Sequence, residues 1–168
     1  MGSYFLKFIF LGVCLMLYSE VISRETVSCP EFLQDVAQNL PLSGTLKQEQ
    51  NGFTYVDLDD RYIHELIQIL PIDGFEKPPY FGPGLIGAHI TVVMPDEWIN
   101  IPEIEECDQE FYFTLKACEI VHPLNWADVS EIFLITLDAP AFARLREKYG
   151  LQPFPFDFHV TIGVKSLP

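Results

Sequence analysis

The stretch "GAHITVV" occupies residues 87–93, and a related stretch, "FHVTIGV", occupies residues 158–164. Each places a histidine, one spacer residue and a threonine inside an apolar run of the kind that forms β-strands. Side chains alternate between the two faces of a strand, so His89 and Thr91 point to one face and their immediate neighbours to the other. Both stretches therefore predict a strand with one apolar face and one polar face.

The second stretch follows the same pattern, and alternation places His159, Thr161 and Lys165 on one face of its strand. Gly87 and Gly163 flank the two histidine–threonine pairs, where they would let a ligand approach the backbone without meeting a side chain. A polar pair in an apolar strand costs stability if it is buried without partners. Its occurrence twice favours a functional site over two structural histidines.

A predicted strand, helix and loop precede each of the two motif strands. Strand-like residues 53–59 are followed by apolar residues at helical spacing, and residues 131–138 and 139–150 repeat that order. We interpret this as an internal duplication that covers about residues 53–94 and 131–165. The alternative is a chance similarity between two amphipathic segments.

Outside the repeats, the apolar spacing predicts a helix at residues 29–40, a turn region at residues 41–52 and a long strand at residues 110–123. Strands and helices in this order predict the α+β class. The chain has 168 residues, of which 49% are hydrophobic, and this is enough for one compact domain. We assign that domain to residues 24–168.

The first 23 residues have the layout of a signal peptide, with Lys7 near the start and an apolar run from Phe8 to Tyr18. We expect cleavage after Ser23, a secreted or periplasmic protein, and no stable membrane association afterwards. The alternative is an uncleaved membrane anchor. The apolar run is shorter than the ~20 residues that a spanning helix needs, which favours export.

Charge limits the partners that this protein can have. Ten Lys and Arg residues against 24 Asp and Glu residues give a formal net charge of −14. Long nucleic acids are normally bound through clusters of basic side chains, so we expect no long nucleic acid as a partner. A phosphate ligand should be small, or held by a few local groups.

The cysteines and the possible metal ligands are less informative. Removal of the leader would leave Cys29, Cys107 and Cys118, so at most one internal disulfide can form. A bridge between Cys107 and Cys118 is conceivable, and free thiols are the alternative. Cys118 and His122 have a spacing that a metal site could use, but they lack a companion pair, and we predict no metal.

The two motifs, "HITV" at residues 89–92 and "HVTI" at residues 159–162, resemble those of the two-histidine (2H) phosphoesterase superfamily, which is similar to the LigT and cyclic phosphodiesterase group. The resemblance covers the chain from Phe53 to about Lys165. It implies a bilobal duplicated fold, with two antiparallel sheets that face a central cleft and flanking helices. It also implies phosphodiester chemistry at ribose 2′ or 3′ oxygens without a metal or another cofactor.

The chemistry of the residues agrees with this implication. Opening a cyclic phosphodiester requires one group to take a proton from water and another to protonate the leaving oxygen, and imidazole can do both near neutral pH. His89 and His159 are therefore the candidate catalytic residues. Thr91 and Thr161 are the candidate phosphate-binding residues, because their hydroxyls could donate to the non-bridging oxygens.

Further residues are candidates for contacts with the substrate. Tyr80, Phe81 and Trp126 lie in predicted loops and could stack on a base, and Lys165 could add a positive charge. The expected substrate is a small 2′- or 3′-linked or cyclic nucleotide, or an RNA end. The alternatives are a nucleotide-binding module without turnover and a secreted interaction protein with an acidic surface and structural histidines.

Overall fold

The computed structural model describes residues 21–98, 101–124, 126 and 128–167, so most of the predicted leader lies outside the described residues. The described elements, in chain order, are β1 (Val21–Val27), α1 (Pro30–Asn39), β2 (Ser43–Gln48), β3 (Thr54–Asp57), α2 (Arg61–His64), β4 (His89–Val93), β5 (Glu110–Tyr112), β6 (Thr114–Pro123), β7 (Val129–Asp138), α3 (Pro140–Lys148) and β8 (His159–Ser166). Short 3-10 helices occupy Leu66–Gln68 and Pro95–Trp98. This confirms the α+β class.

All eight strands join one antiparallel sheet in the order β1-β6-β7-β8-β4-β3-β2-β5. The two motif strands, β4 and β8, are neighbours at its centre, and their ladder consists of the single register pair Ile90 and Val160. The expectation of two separate sheets is therefore corrected to one sheet with a thin central seam. Four strands lie on each side of that seam, and the short β4–β8 ladder links the two groups.

The main hydrophobic core lies between the helices and one face of this sheet. Phe32 and Val36 recur at four-residue spacing on α1, and Phe142 and Leu145 lie on the buried side of α3. A disulfide between Cys29 and Cys118 ties the start of α1 to β6, so the conceivable Cys107–Cys118 bridge is not the one that forms. Cys107 is the free cysteine of the described residues.

Both motif strands carry a β-bulge at the position directly after the motif threonine. On β4, Thr91 pairs with Tyr55 and Val93 pairs with Thr54, so Val92 is the extra residue. On β8, Thr161 pairs with Leu134 and the next pair is formed by Gly163, two positions further on. An extra residue reverses the alternation of faces beyond it.

The bulge on β8 corrects the predicted position of Lys165. Strict alternation placed this side chain on the face of His159, but the reversal turns it to the opposite face. There its ammonium lies 4.5 Å from the ring centre of Phe75 and 2.7 Å from a carboxylate oxygen of Glu131. Gly163 is turned in the same way, because a Cβ there would meet Ile67 and Phe75 instead of a ligand.

Several other elements differ from the prediction. The region predicted as a turn at residues 41–52 contains β2, and the strand predicted at residues 110–123 is divided into β5 and β6. β1 was not predicted, and its polar residues are explained by an edge position, since among the described strands it pairs with β6 alone. Within the described residues, no helix has the length and apolar character to span a membrane.

Candidate active site

A cavity of about 610 Å³ contains the polar faces of both motif strands. We call it the central cavity. Its lining combines the two histidines and two threonines with aromatic and acidic side chains from four connecting segments: Tyr80, His89, Thr91, Met94, Asp96, Glu97, Trp126, Phe154, Pro155, Phe156, His159 and Thr161. The structure thus brings together the four residues that the motifs predicted, although they are about 70 positions apart in the chain.

Each histidine is held by the same local hydrogen bond. Nδ1 of His89 lies 2.8 Å from the carbonyl oxygen of Gly87, and Nδ1 of His159 lies 2.9 Å from that of Asp157. A carbonyl oxygen can only accept, so Nδ1 carries the hydrogen in both rings. The same tautomer therefore leaves Nε2 of each imidazole available for proton transfer in the cavity.

The support of His89 depends on an unusual backbone conformation. Gly87 has φ of 81°, a region that favours glycine. A Cβ at this position would collide with the carboxylate of Asp60, and that carboxylate accepts a hydrogen bond of 3.0 Å from the N–H of Ala88. The glycine predicted to admit a ligand therefore orients the carbonyl that holds His89 instead.

Aromatic rings surround His89 on the side of β3. The ring centres of Tyr80, Tyr55 and Phe53 lie 5.0, 5.7 and 5.9 Å from that of His89, all in edge-on geometries. Burial raises the pKa of Tyr80 to about 12, and a hydrogen bond with Thr161 opposes this change. Tyr80 therefore remains a neutral hydrogen-bonding group that links the loop before β4 to the second motif.

The two half-buried imidazoles differ in their charged neighbours. Burial lowers the pKa of His89, and both its bond to Gly87 and the carboxylate of Asp57, its register partner on β3, oppose this effect. Burial also lowers the pKa of His159, the carbonyl and the carboxylate of Asp157 oppose the change, and the charges of Arg24 and His89 lower it further. Each imidazole therefore has a carboxylate that favours its protonated form, and His159 alone of the two also has a guanidinium that opposes it.

Arg24 belongs to β1 at the edge of the sheet and lies beside the central cavity without lining it. Its guanidinium lies 5.5 Å from the ring centre of Phe156, a residue of the cavity lining. It also forms an ion pair of 3.3 Å with Glu119, whose side chain is only 10% exposed. Neither Arg24 nor Asp57 was identified from the sequence. For Asp57, the available signal was its place on a predicted strand, two residues after Tyr55.

One wall of the central cavity depends on a buried arginine. Arg146 of α3 is 1% exposed, and its guanidinium donates to the carbonyl oxygens of Val92 and Gln152 and to both carboxylate oxygens of Glu97. Burial by itself would raise the pKa of Glu97, but its bonds with Arg146 and with the N–H of Met94 lower it. Glu97 is therefore an ionised part of the lining.

The remaining predicted contacts divide into two groups. Tyr80 and Trp126 line the central cavity, and Trp126 also packs against a small apolar cluster that includes Leu134 and Val164. Lys165 does not line it, because the bulge on β8 turns this side chain to the opposite face of the sheet. Phe81 stacks on His64, with ring centres 6.5 Å apart, instead of lining the cavity.

No group of three or more His, Cys, Asp and Glu side chains is arranged to hold a metal ion within the described ranges. Cys118, half of the weak metal pair considered from the sequence, is bonded to Cys29.

Comparison with known proteins identifies the family. The family model described as Swiss Army Knife, 2H phosphoesterase domain, matches residues 54–167, which include both motif strands and all the residues that line the central cavity. Searches of curated proteins and of solved structures returned no match. On the strength of the family match, this chain belongs to the 2H phosphoesterases, and its domain is that of a phosphodiester hydrolase.

Proposed function

We propose that this protein is a metal-independent phosphodiesterase in which His89 and His159 act on one phosphate in the central cavity. The observation that carries the proposal is the equivalence of the two imidazoles. Both lie in one cavity, both donate Nδ1–H to the carbonyl two residues earlier, and both keep Nε2 for the reaction. General acid and base catalysis requires such a pair on either side of the reacting phosphorus.

The charged neighbours support a division of roles. His159 lies within the influence of the Arg24 guanidinium, which favours the neutral imidazole that takes a proton from water. His89 is beside Asp57, which favours the protonated imidazole that gives a proton to the leaving oxygen. Thr91 and Thr161 would donate hydroxyl hydrogen bonds to the non-bridging oxygens as negative charge builds up there.

The proposed substrate is a small phosphodiester, with a 2′,3′-cyclic or 2′- or 3′-linked nucleotide, or an RNA end, as the leading class. Tyr80, Trp126 and Phe156 would provide aromatic surfaces for a base. The test is hydrolysis of 2′,3′-cyclic nucleoside monophosphates and of a 2′-5′-linked dinucleotide in the presence of EDTA, with products resolved by chromatography. Binding without turnover would identify a nucleotide-binding module instead, and activity that disappears with EDTA and returns with zinc would refute the two-imidazole mechanism.

We expect kcat/KM to depend on pH in a bell shape whose maximum lies below about pH 6.5, the ordinary pKa of histidine. The rate should fall at low pH as His159 gains a proton and at high pH as His89 loses one. Because burial lowers both pKa values, both limbs lie at lower pH than for exposed histidines. Initial rates measured from pH 4 to 9 give the pH profile of kcat/KM.

Asp57→Asn provides a sharper form of this test. Removal of the carboxylate takes away a group that raises the pKa of His89, so the descending limb should move to lower pH. Asp73→Asn, at an exposed loop position, is the matched control and should leave the profile unchanged. A shift of the ascending limb alone would reverse the assignment of acid and base.

We also infer that the two halves arose by internal duplication. Each half has a hairpin followed by a helix and a motif strand, namely β2-β3-α2-β4 and β6-β7-α3-β8. The supporting details are local: the same Nδ1 bond and the same bulge after the threonine occur in both. Duplication explains why the two catalytic groups come from equivalent positions.

We further propose that the protein is exported and that its leader ends near Ser23. The Cys29–Cys118 disulfide supports this, because structural disulfides persist mainly in oxidising compartments. Cleavage after Ser23 would leave Arg24 as the first residue, with Arg24–Val27 still paired to β6. Mass spectrometry of the protein recovered from the medium or periplasm should find this terminus, whereas an intact Met1 in a membrane fraction would indicate an anchor.

A further inference from the structure

A second pocket, of about 810 Å³, opens beside the central cavity on the side of β3. We call it the flanking pocket. Its lining consists of Glu49, Gln50, Asn51, Phe53, Tyr55, Asp57, Tyr80, Gly84, Leu85 and Ile86. Tyr80 lines both spaces, and the rings of Phe53 and Tyr55 contact the ring of His89. His89 itself lines the central cavity, so a group bound in the flanking pocket would lie against the rings that contact the imidazole that we assign as the general acid.

The charge of the flanking pocket is entirely negative among its described lining residues, which include Glu49 and Asp57 but no Lys, Arg or His. Glu49 accepts a hydrogen bond of 3.1 Å from the hydroxyl of Tyr55. Asp57 has no side-chain hydrogen bond or ion pair within the described part of the chain. Burial, and then the charge of Asp60, raise its pKa, while the charges of Lys47 and His89 oppose the change. Lys47 itself is paired at 2.6 Å with Asp108.

The flanking pocket also offers three aromatic rings. Phe53 and Tyr55 are stacked with their centres 5.3 Å apart, and Tyr80 approaches from the opposite loop. Aromatic faces attract ammonium groups through the ring quadrupole, and carboxylates add a direct Coulomb attraction. The combination favours a cationic group and opposes a second phosphate.

We propose that the flanking pocket receives the leaving alcohol of the phosphodiester and that this alcohol carries an ammonium group. The inference rests on the proposed function, since it assumes that the phosphate lies between the two motif histidines. It narrows the substrate to a phosphate monoanion esterified with an amino alcohol on the side of His89. A nucleotide on the remaining ester oxygen would then lie on the other side of the phosphate, towards Trp126 and Phe156.

The reaction balances without another reagent. A water oxygen forms a bond to phosphorus as His159 takes one of its protons, and the bond from phosphorus to the amino alcohol oxygen breaks. That oxygen receives the proton of His89, so the products are the free amino alcohol and a phosphate monoester. Proton exchange with solvent restores both imidazoles.

The test compares two glycerol phosphodiesters that differ in charge but hardly in shape: the choline ester and the 3,3-dimethylbutyl ester. We expect the full-length protein to hydrolyse the choline ester with a kcat/KM about 10-fold higher, as a cation over aromatic rings and beside carboxylates would give. The released products should be choline and glycerol phosphate. Glu49→Gln should reduce this preference several-fold, whereas Glu31→Gln, an exposed position on α1, should preserve it.

Different outcomes separate this inference from the proposed function. Equal rates for the two esters, release of glycerol instead of choline, or hydrolysis of cyclic nucleotides alone would overturn the inference while the phosphodiesterase proposal stands. Hydrolysis of none of these compounds would overturn both. A further arm with phosphatidylcholine vesicles identifies the source, because release of choline only from vesicles would support a lipid headgroup instead of a soluble ester.

Discussion

Replacement of either His89 or His159 by alanine should reduce kcat/KM by roughly 10²- to 10⁴-fold, the usual contribution of one general acid or base. Each variant removes one of the two proton-transfer groups that the central cavity brings together. Thr91→Val and Thr161→Val should cost less, because each removes one hydrogen bond to the phosphate. Steady-state kinetics with a 2′,3′-cyclic nucleotide would measure all four.

The design of this experiment includes a histidine control. His64→Ala changes an exposed histidine of α2 that lies outside the central cavity, and it should leave kcat/KM unchanged. Circular dichroism should show that all variants fold, since both motif histidines are only half-buried. A double variant of His89 and His159 that retained the wild-type rate would place the chemistry elsewhere.

Arg146→Met should destabilise the protein by about 3–5 kcal/mol, because it leaves buried groups without their partner. The guanidinium makes five hydrogen bonds, and their loss would leave the carbonyl oxygens of Val92 and Gln152 and the carboxylate of Glu97 unsatisfied. For a domain of this size the melting temperature should fall by about 10 °C. Differential scanning calorimetry of the purified protein gives the value.

Arg144→Met is the matched control for this substitution. Arg144 lies on the exposed side of the same helix, and a surface change of this kind usually alters stability by less than about 0.5 kcal/mol. Arg146 also joins the strand of the first motif to the loop that leads into the second, so the variant should lose activity before it unfolds. A melting temperature within about 2 °C of the wild type for Arg146→Met, on the order of the control's change, would show that the buried network contributes little.

The sequence was most informative where a local pattern has one structural meaning. Apolar alternation around His89 and His159 predicted the two motif strands, and four-residue spacing predicted α1, because a regular backbone repeats its contacts. The repeated order of strand, helix and loop predicted α3. β1 and β2 lacked such a signal. The polar residues of β1 fit an edge strand, and the residues of β2 are mostly half-buried, so tertiary pairing determined their conformation.

The sequence by itself determined the chemical groups of the candidate site: two histidines and two threonines, each pair on one face of a strand. Only the tertiary structure decided what surrounds them. The bulge on β8 directs Lys165 away from the central cavity, while pairing across the sheet places Asp57 beside His89 and Arg24 near enough to lower the pKa of His159. Such neighbours depend on register between distant strands, which a pattern read along one strand does not contain.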